Sequence, residues 1–225
     1  MTDEQKKTLE RQLWSVADEL RGKMNADEYK NYILGFIFYK YLSEKLEKYV
    51  NKKVLASEKF KFSEIKENTK EGKEDLEHIK TACVGHLGFF LKPTELFSYI
   101  VKKGRGDIKD ENTFILEDLK NILNDIEKTS SGTESEEEFR GLFDDVDLTS
   151  TKLGSREKDK NEVVVNILKL LSGIDFGLEE SKNDILGDAY EYLIGEFAAG
   201  AGKKGGEFYT PAQVSRLLAK IVSLD

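Results

Sequence analysis

Apolar residues recur at helical spacing along most of the chain, whereas no segment shows the strict alternation of apolar and polar residues that is typical of a β-strand. A first helix is predicted after Thr2 and before Gly22, with Leu9, Leu13 and Val16 on one face. Further helices are predicted at about residues 25–49, 94–103, 114–126, 163–171, 183–197 and 211–222. The fold class predicted from this pattern is mainly α.

The second predicted helix differs from the others because it is apolar on nearly every side between Tyr29 and Leu42. Asn25 followed by Glu28 forms a capping-box pattern at its start. A helix that is apolar all round is typically buried. We therefore expect it to be the centre of a helical bundle, covered mainly by the helices near residues 9–20, 114–126 and 163–171.

Four other segments have local patterns that predict their structure. Residues 51–80 are charged with little periodicity, which predicts loop and short helix. Pro93 is predicted in the first turn of the helix at 94–103, with Gly104 ending it. The acidic tract at residues 129–138 is typical of a solvated, mobile linker. In the last helix the apolar side chains are predicted to face inward: Val214, Leu217, Leu218, Ile221 and Val222.

Composition narrows the class of protein. The 225 residues have a net charge of −8, which argues against a uniformly basic nucleic-acid binder while allowing a local basic patch. The longest stretch without a charged side chain is residues 81–91, too short to span a membrane, and the N-terminus does not resemble a signal peptide. A single cysteine fits a reducing compartment, so we expect a cytoplasmic protein.

Two candidate sites are weak on the sequence alone. His78, Cys83 and His86 are soft metal ligands, but a structural zinc site needs four ligands, so we expect a packed thiol and two partly exposed imidazoles, and no metal site. The glycine-rich segment 200–205 matches the spacing of a dinucleotide-binding turn, but it follows a predicted helix instead of a strand. A flexible glycine loop is the preferred interpretation there.

A basic cluster at residues 102–105 contains two lysines and an arginine at a predicted helix C-terminus. Such cations commonly offset the helix dipole and stay solvated. The alternative is a phosphate contact. Lysines elsewhere could extend this basic face: Lys40, Lys45, Lys48, Lys52 and Lys53.

The segment from Glu207 to Pro211 is a stronger candidate. Thr210 at the N-cap and Pro211 at the first helical position predict a well-defined helix start. The free amides of a helix N-terminus suit a carboxylate or phosphate, and the preceding Phe208 and Tyr209 can line a pocket beside it. A capped helix with two core aromatics explains the same residues without any ligand.

Several further segments stand out together: residues 13–14, 17–18, 20–22, 29–35 and 40–43, then DLTSTKLG at 147–154, LGDAYEYLIGEFA at 186–198 and GKKGGEFYTP at 202–211. These segments resemble the modification (M) subunits of type I restriction-modification enzymes, and the resemblance spans the whole chain.

The resemblance implies two regions. Residues 1–182 would be a helical N-terminal domain for DNA clamping and assembly. Residues 183–225 would be the first helices of an α/β methyltransferase domain, truncated before its catalytic motifs. The family's catalytic Asn-Pro-Pro-aromatic motif needs adjacent prolines, and the only prolines are Pro93 and Pro211. We therefore expect the N-terminal part of an M subunit, with no catalytic residues and no activity on its own.

The family uses S-adenosylmethionine to methylate adenine N6 in DNA. By resemblance, the cofactor-binding residues are Glu207, Phe208, Tyr209, Thr210, Pro211 and Ala212, with Thr210 and the helix amides holding the methionine carboxylate. The implied partners are the specificity (S) subunit, a second M subunit, the restriction (R) subunit and double-stranded DNA. The alternative function is a non-enzymatic helical adaptor that binds only proteins.

Overall fold

The computed structural model describes residues 3–109, 111–176, 186–187, 189, 191–193, 195, 210 and 212–223. The α-helices with defined bounds are α1 (Asp3–Leu20), α2 (Ala26–Tyr49), α3 (Lys70–Leu87), α4 (Phe97–Arg105), α5 (Leu116–Ser130), α6 (Glu136–Phe139), α7 (Glu157–Ser172) and α8 (Ala212–Val222). A π-helical turn at Val50–Val54 extends α2, and 3-10 turns occupy Phe62–Glu64 and Pro93–Glu95.

The described part of the chain contains no β-strand, only an isolated bridge between Arg21 and Met24. The described residues between 186 and 195 are also helical. The predicted mainly α fold class is therefore confirmed. None of the described helices combines the length and the apolar character needed to cross a membrane.

Helix α2 is the centre of the bundle, as predicted. Its apolar side chains Ile33, Phe36 and Tyr39 are fully buried, and α1, α3, α4 and α7 all pack against it. The expected cover from residues 114–126 is wrong, because α5 packs mainly on α6 and α7. The missing cover comes from α3 and α4, which the sequence pattern did not place beside α2.

The ends of two helices test the predicted caps. The backbone N–H of Asn25 donates to the Glu28 carboxylate at 3.2 Å, which confirms the cap of α2. The predicted stop of α4 at Gly104 is wrong, since the helix continues to Arg105 and ends at Gly106 with φ of 76°. Gly104 lies inside α4 for a packing reason: a Cβ there would be 2.8 Å from the Val165 side chain on α7.

Residues 51–80 contain more helix than the sequence predicted. Helix α3 begins at Lys70, where the Oγ1 of Thr69 accepts a hydrogen bond from the Gly72 N–H at 3.0 Å. The buried positions of this helix are Gly72, Leu76, Ile79 and Cys83, and nearly all the other residues between Lys70 and Lys80 are charged. This narrow apolar face explains why the periodicity was weak in the sequence.

The acidic tract at residues 129–138 runs from the end of α5 through a turn into α6, so the prediction of a mobile linker is wrong. Ser130 is buried, and the Thr129 Oγ1 accepts a hydrogen bond from the Phe90 N–H at 3.1 Å. Within the turn, the Gly132 N–H donates to the Glu136 carboxylate at 2.7 Å. These bonds tie the tract to the bundle.

Helix α8 forms where the Thr210-Pro211 pattern predicted a helix, but its apolar face does not point inward. The side chains that were expected to be buried are 45 to 76% exposed: Val214, Leu217, Leu218, Ile221 and Val222. The amphipathic pattern correctly predicted a helix with an apolar face, and no described part of the chain covers that face.

Candidate functional site

The predicted cofactor segment lies mostly outside the described residues. Glu207, Phe208, Tyr209 and Pro211 are not described. Thr210 is exposed and not helical, and it lies two positions before Ala212, where α8 begins. This position at the N-terminal end of a helix fits an anionic group such as a carboxylate. The cofactor contacts themselves remain predictions.

The segment 147–154 is a loop that α2 and α7 hold in place. The Tyr32 hydroxyl on α2 donates to the main-chain oxygen of Asp147 at 2.7 Å. From α7, the Nζ of the buried Lys160 donates to the main-chain oxygen of Thr149 at 2.7 Å. Lys152 forms an ion pair with Glu28, the capping residue of α2. The loop is thereby fixed to two helices that are distant in sequence.

Hydrogen bonds also shape the start of this loop. The Asp147 carboxylate accepts from the Thr149 hydroxyl at 2.6 Å and from the Thr149 N–H at 2.9 Å. The hydroxyl bond is the main reason that the pKa of Asp147 is lowered. Burial raises the pKa of Tyr32, so its hydroxyl stays protonated as the donor to the loop. This arrangement suits a structural element that orients α2 and α7.

A glycine explains how closely the loop approaches α2. A Cβ at Gly35 would lie 2.5 Å from the Cγ2 of Val146, next to the loop. Any larger side chain at position 35 would push the loop away from α2. Gly35 therefore belongs to the same structural unit as the loop.

The side chains from Leu13 on α1 to Arg21, the residue after α1, divide into a buried and an exposed set. Leu13 and other apolar members are buried against the bundle. Trp14 is 41% exposed, and the Arg21 guanidinium lies 4.2 Å from its ring centroid. Asp18 holds Arg21 at 2.8 Å. Packing accounts for the buried set, whereas the exposed cluster contains tryptophan and arginine, two residue types that are enriched at protein interfaces.

Two family models match consecutive parts of the chain. The HsdM N-terminal domain model matches residues 9–171, which cover the bundle, the exposed α1 cluster and the 147–154 loop. The chain belongs to this family. The N-6 DNA Methylase model matches residues 181–225. The expected relationship to type I methylase subunits is therefore confirmed.

Individual relatives agree with this assignment. The type I restriction enzyme MpnII methylase subunit of Mycoplasma pneumoniae is 37% identical over 97% of this chain and 40% of its own length. The MjaIX methylase subunit of Methanocaldococcus jannaschii is 30% identical over 96% of this chain and 35% of its own length. This HsdM N-terminal domain chain thus spans 40% or less of these relatives' lengths.

A solved structure gives the same result. The methyltransferase subunit of a type I restriction-modification system from Streptococcus thermophilus superposes with a TM-score of 0.77 at 35% identity. The match covers 96% of this chain and 43% of the solved chain. The helical architecture described above is thus the one found in a type I methyltransferase subunit.

The structure removes Lys40 from the basic face that the sequence allowed and pairs two other cations of that face with carboxylates. Lys103 is paired with Asp118 at 2.7 Å, and Arg105 with Asp107 at 3.1 Å. Lys40 is only 2% exposed, so it belongs to no surface at all. These pairings favour the interpretation of cations at the end of α4 over a phosphate contact.

The soft ligands on α3 are arranged as packing residues. Cys83 is buried, which raises its pKa to about 12, while His78 and His86 are exposed. His86 stacks on Tyr49 with ring centroids 4.6 Å apart. No group of three or more histidine, cysteine or acidic side chains suited to a metal ion occurs among the described residues.

Proposed function

We propose that this chain is the N-terminal region of a cytoplasmic DNA methyltransferase subunit that methylates adenine N6 with S-adenosylmethionine. The succession of the two family models along the chain carries this proposal. The second match begins at residue 181, close to the proposed boundary between a helical domain at 1–182 and the start of a methyltransferase domain at 183–225. The active assembly would include the specificity subunit, a second M subunit, the restriction subunit and double-stranded DNA.

In this proposal the helical domain holds the complex on DNA and takes no part in the chemistry. A base must leave the duplex stack before its exocyclic nitrogen can be methylated, so a module that closes around the duplex fits the mechanism. The exposed cluster of Trp14, Asp18 and Arg21 suits contact with another protein subunit. Its charges are already paired, which makes it a poor partner for phosphate.

We propose that the cofactor site begins at residues 207–212, with Thr210 next to the methionine carboxylate. Glu207, Phe208, Tyr209, Pro211 and Ala212 would complete this edge of the pocket. The support is the exposed Thr210 at the start of α8 and the anion-binding character of a helix N-terminus. The cofactor itself would supply the methyl group.

Replacing Thr210 by alanine should have two separable effects. In this chain it should destabilise helix α8 by about 1 kcal/mol through loss of the helix cap. In the full-length subunit it should also weaken S-adenosylmethionine binding by about 1.5–3 kcal/mol, because a charge-assisted hydrogen bond is lost. Titration calorimetry on full-length parent and variant measures the second effect. Equal affinities would leave Thr210 as a cap only.

The 225-residue chain should transfer no methyl group to DNA at any cofactor concentration. The catalytic Asn-Pro-Pro-aromatic motif of the family contains adjacent prolines, and this sequence has no adjacent pair of prolines. The measurement is tritium transfer from labelled S-adenosylmethionine to DNA, compared with a reaction that lacks protein. Incorporation above that background would show that the proposed division between helical and catalytic regions is wrong.

A further inference from the structure

Lys40 is a buried cation at the centre of the bundle. It is 2% exposed, on the helix that α1, α3, α4 and α7 surround. Its Nζ forms an ion pair with Glu44, one turn along α2, whose side chain is 36% exposed. Burial of a charged amine is costly unless the amine finds further partners. The identity of those other partners indicates what Lys40 does.

The nearest other partners of Lys40 belong to the segment that follows α7, whereas the Phe97 ring on α4 lies farther away, with its centroid 5.8 Å from the Nζ. The Nζ donates to the main-chain oxygen of Ile174 at 2.7 Å. It also lies 4.6 Å from the ring centroid of Phe176, a distance typical of a cation–π contact. Both Ile174 and Phe176 are buried. A single side chain thus fixes the main chain and a side chain of one short segment.

Two more side chains hold the same segment. The Gln12 Nε2 on α1 donates to the main-chain oxygen of Gly173 at 2.9 Å. The ring of Tyr41 on α2 meets the ring of Phe176 edge-on, with centroids 6.3 Å apart. The chain is therefore held from α1 and from α2 at the point where it leaves the HsdM N-terminal domain.

The exit segment, residues 173–176, lies just before the part of the chain that matches the methylase model. The N-6 DNA Methylase match begins at residue 181, five positions after Phe176. Two residues of that match, Ala189 and Leu193, are buried in the same apolar cluster as α2. Movement of the exit segment would therefore be passed to the start of the methylase region.

We propose that Lys40 is a positioning residue, which fixes the exit of the chain from the bundle and thereby sets the methylase region in place relative to the helical domain. An apolar side chain of similar length would fill the same space, but only a donor at the end of a long side chain can hold the main-chain oxygen of Ile174. The part of this inference that concerns methylation rests on the proposed function.

Lys40→Met separates this role from general stability. Removing one partner of an ion pair is strongly destabilising when the other charge stays fully buried, but the Glu44 side chain is 36% exposed and keeps contact with water. The matched control is Lys53→Met, which changes an exposed lysine in the π-helical turn after α2.

Hydrogen exchange in the 225-residue chain tests directly whether Lys40 holds the exit segment. The N–H groups of Gly173 and Ile174 bond to the oxygens of Leu170 and Leu171 at the end of α7. In Lys40→Met these two amides should exchange at least about tenfold faster while the α2 amides are unchanged, since local opening needs no global unfolding. Lys53→Met should match the parent.

Unchanged exchange at Gly173 and Ile174 would overturn the proposal, and so would equal acceleration in every helix, which would indicate a purely structural role. If Lys40→Met does not fold, Lys40→Gln is measured in the same way, because it keeps a shorter neutral donor. For this variant, faster exchange confined to the two exit amides supports the proposal, and parent-like exchange overturns it.

A second measurement uses the full-length subunit with its specificity subunit. Lys40→Met should lower kcat for DNA methylation about tenfold or more, because a misplaced reacting group is costly, while KM for S-adenosylmethionine stays unchanged. An unchanged kcat would overturn the positioning role. If parent and variant both fail to methylate DNA, the proposed function is wrong. The hydrogen-exchange result alone then decides whether Lys40 holds the exit segment.

Discussion

Replacing Phe36 by aspartate should lower the free energy of unfolding by about 3–5 kcal/mol, a large share of the stability of a typical domain. Phe36 is fully buried on α2, the helix around which α1, α3, α4 and α7 pack. A carboxylate at this position would be desolvated without a charged partner, and the ring's apolar contacts would be lost. Urea titration followed by circular dichroism measures the effect.

Phe60→Asp is the matched control for this substitution. The Phe60 side chain is 38% exposed, so the same chemical change there leaves the carboxylate in contact with water. Its unfolding midpoint should stay close to that of the parent. Coincident unfolding curves for Phe36→Asp and the parent would mean that α2 is not the centre of the core.

The second large effect is expected at Gly72, in the first turn of α3. A Cβ at this position would lie 2.0 Å from the main-chain oxygen of Lys66, and backbone cannot move aside as a flexible side chain can. Gly72→Ala should therefore lower the free energy of unfolding by about 1–3 kcal/mol, the usual cost of forcing extra volume into a packed site. Thermal and urea unfolding of the variant measure this loss.

The same helix offers a control with the opposite sign. Gly85 is exposed within α3, and a Cβ there would meet no atom within 4 Å. Gly85→Ala should stabilise the chain by up to about 1 kcal/mol, since alanine loses less backbone entropy in a helix than glycine. If the two substitutions had the same effect, the close packing of Gly72 against Lys66 would be contradicted.

The parts of the fold that were predicted correctly depend on local signals. Asn25 and Glu28 mark the start of α2, and the apolar run after them requires burial on nearly every side. Both features lie within one continuous segment. Pattern and capping therefore predicted the central helix well, because the same residues that define it also determine its burial.

The errors have a common physical origin in contacts between residues that are distant in sequence. Gly104 appeared to end a helix, but its place is set by Val165 on α7, and Gly106 is the residue with positive φ. The acidic tract appeared to be a linker, but Phe90 binds Thr129 at one end of it. Residue types alone do not predict such pairings.

The same limit applies to the apolar face of α8. An amphipathic pattern predicts that one side of a helix is apolar, but it does not say which part of the molecule covers that side. Val214 and Leu217 are exposed in the described structure although the pattern predicted them as buried.

For the functional residues, the sequence predicted the type of structural element better than the position of each side chain in the fold. Thr210 does precede a helix, as the Thr-Pro pattern indicated. The sequence allowed Lys40 to extend a basic face and did not single out Lys160, yet both are buried donors to main-chain oxygens. One signal was available: Lys40 lies within the most apolar helix of the chain, where a solvated lysine is unexpected.

The most direct test of the central claim is to identify the methylated nucleoside in DNA treated with the full-length subunit, the specificity subunit and S-adenosylmethionine. Enzymatic digestion followed by mass spectrometry distinguishes N6-methyladenine from methylated cytosines. We expect N6-methyladenine with the full-length subunit and no methylated base with the 225-residue chain. Methylation of cytosine, no methylated base with the full-length subunit, or N6-methyladenine produced by the 225-residue chain alone would contradict the proposed function.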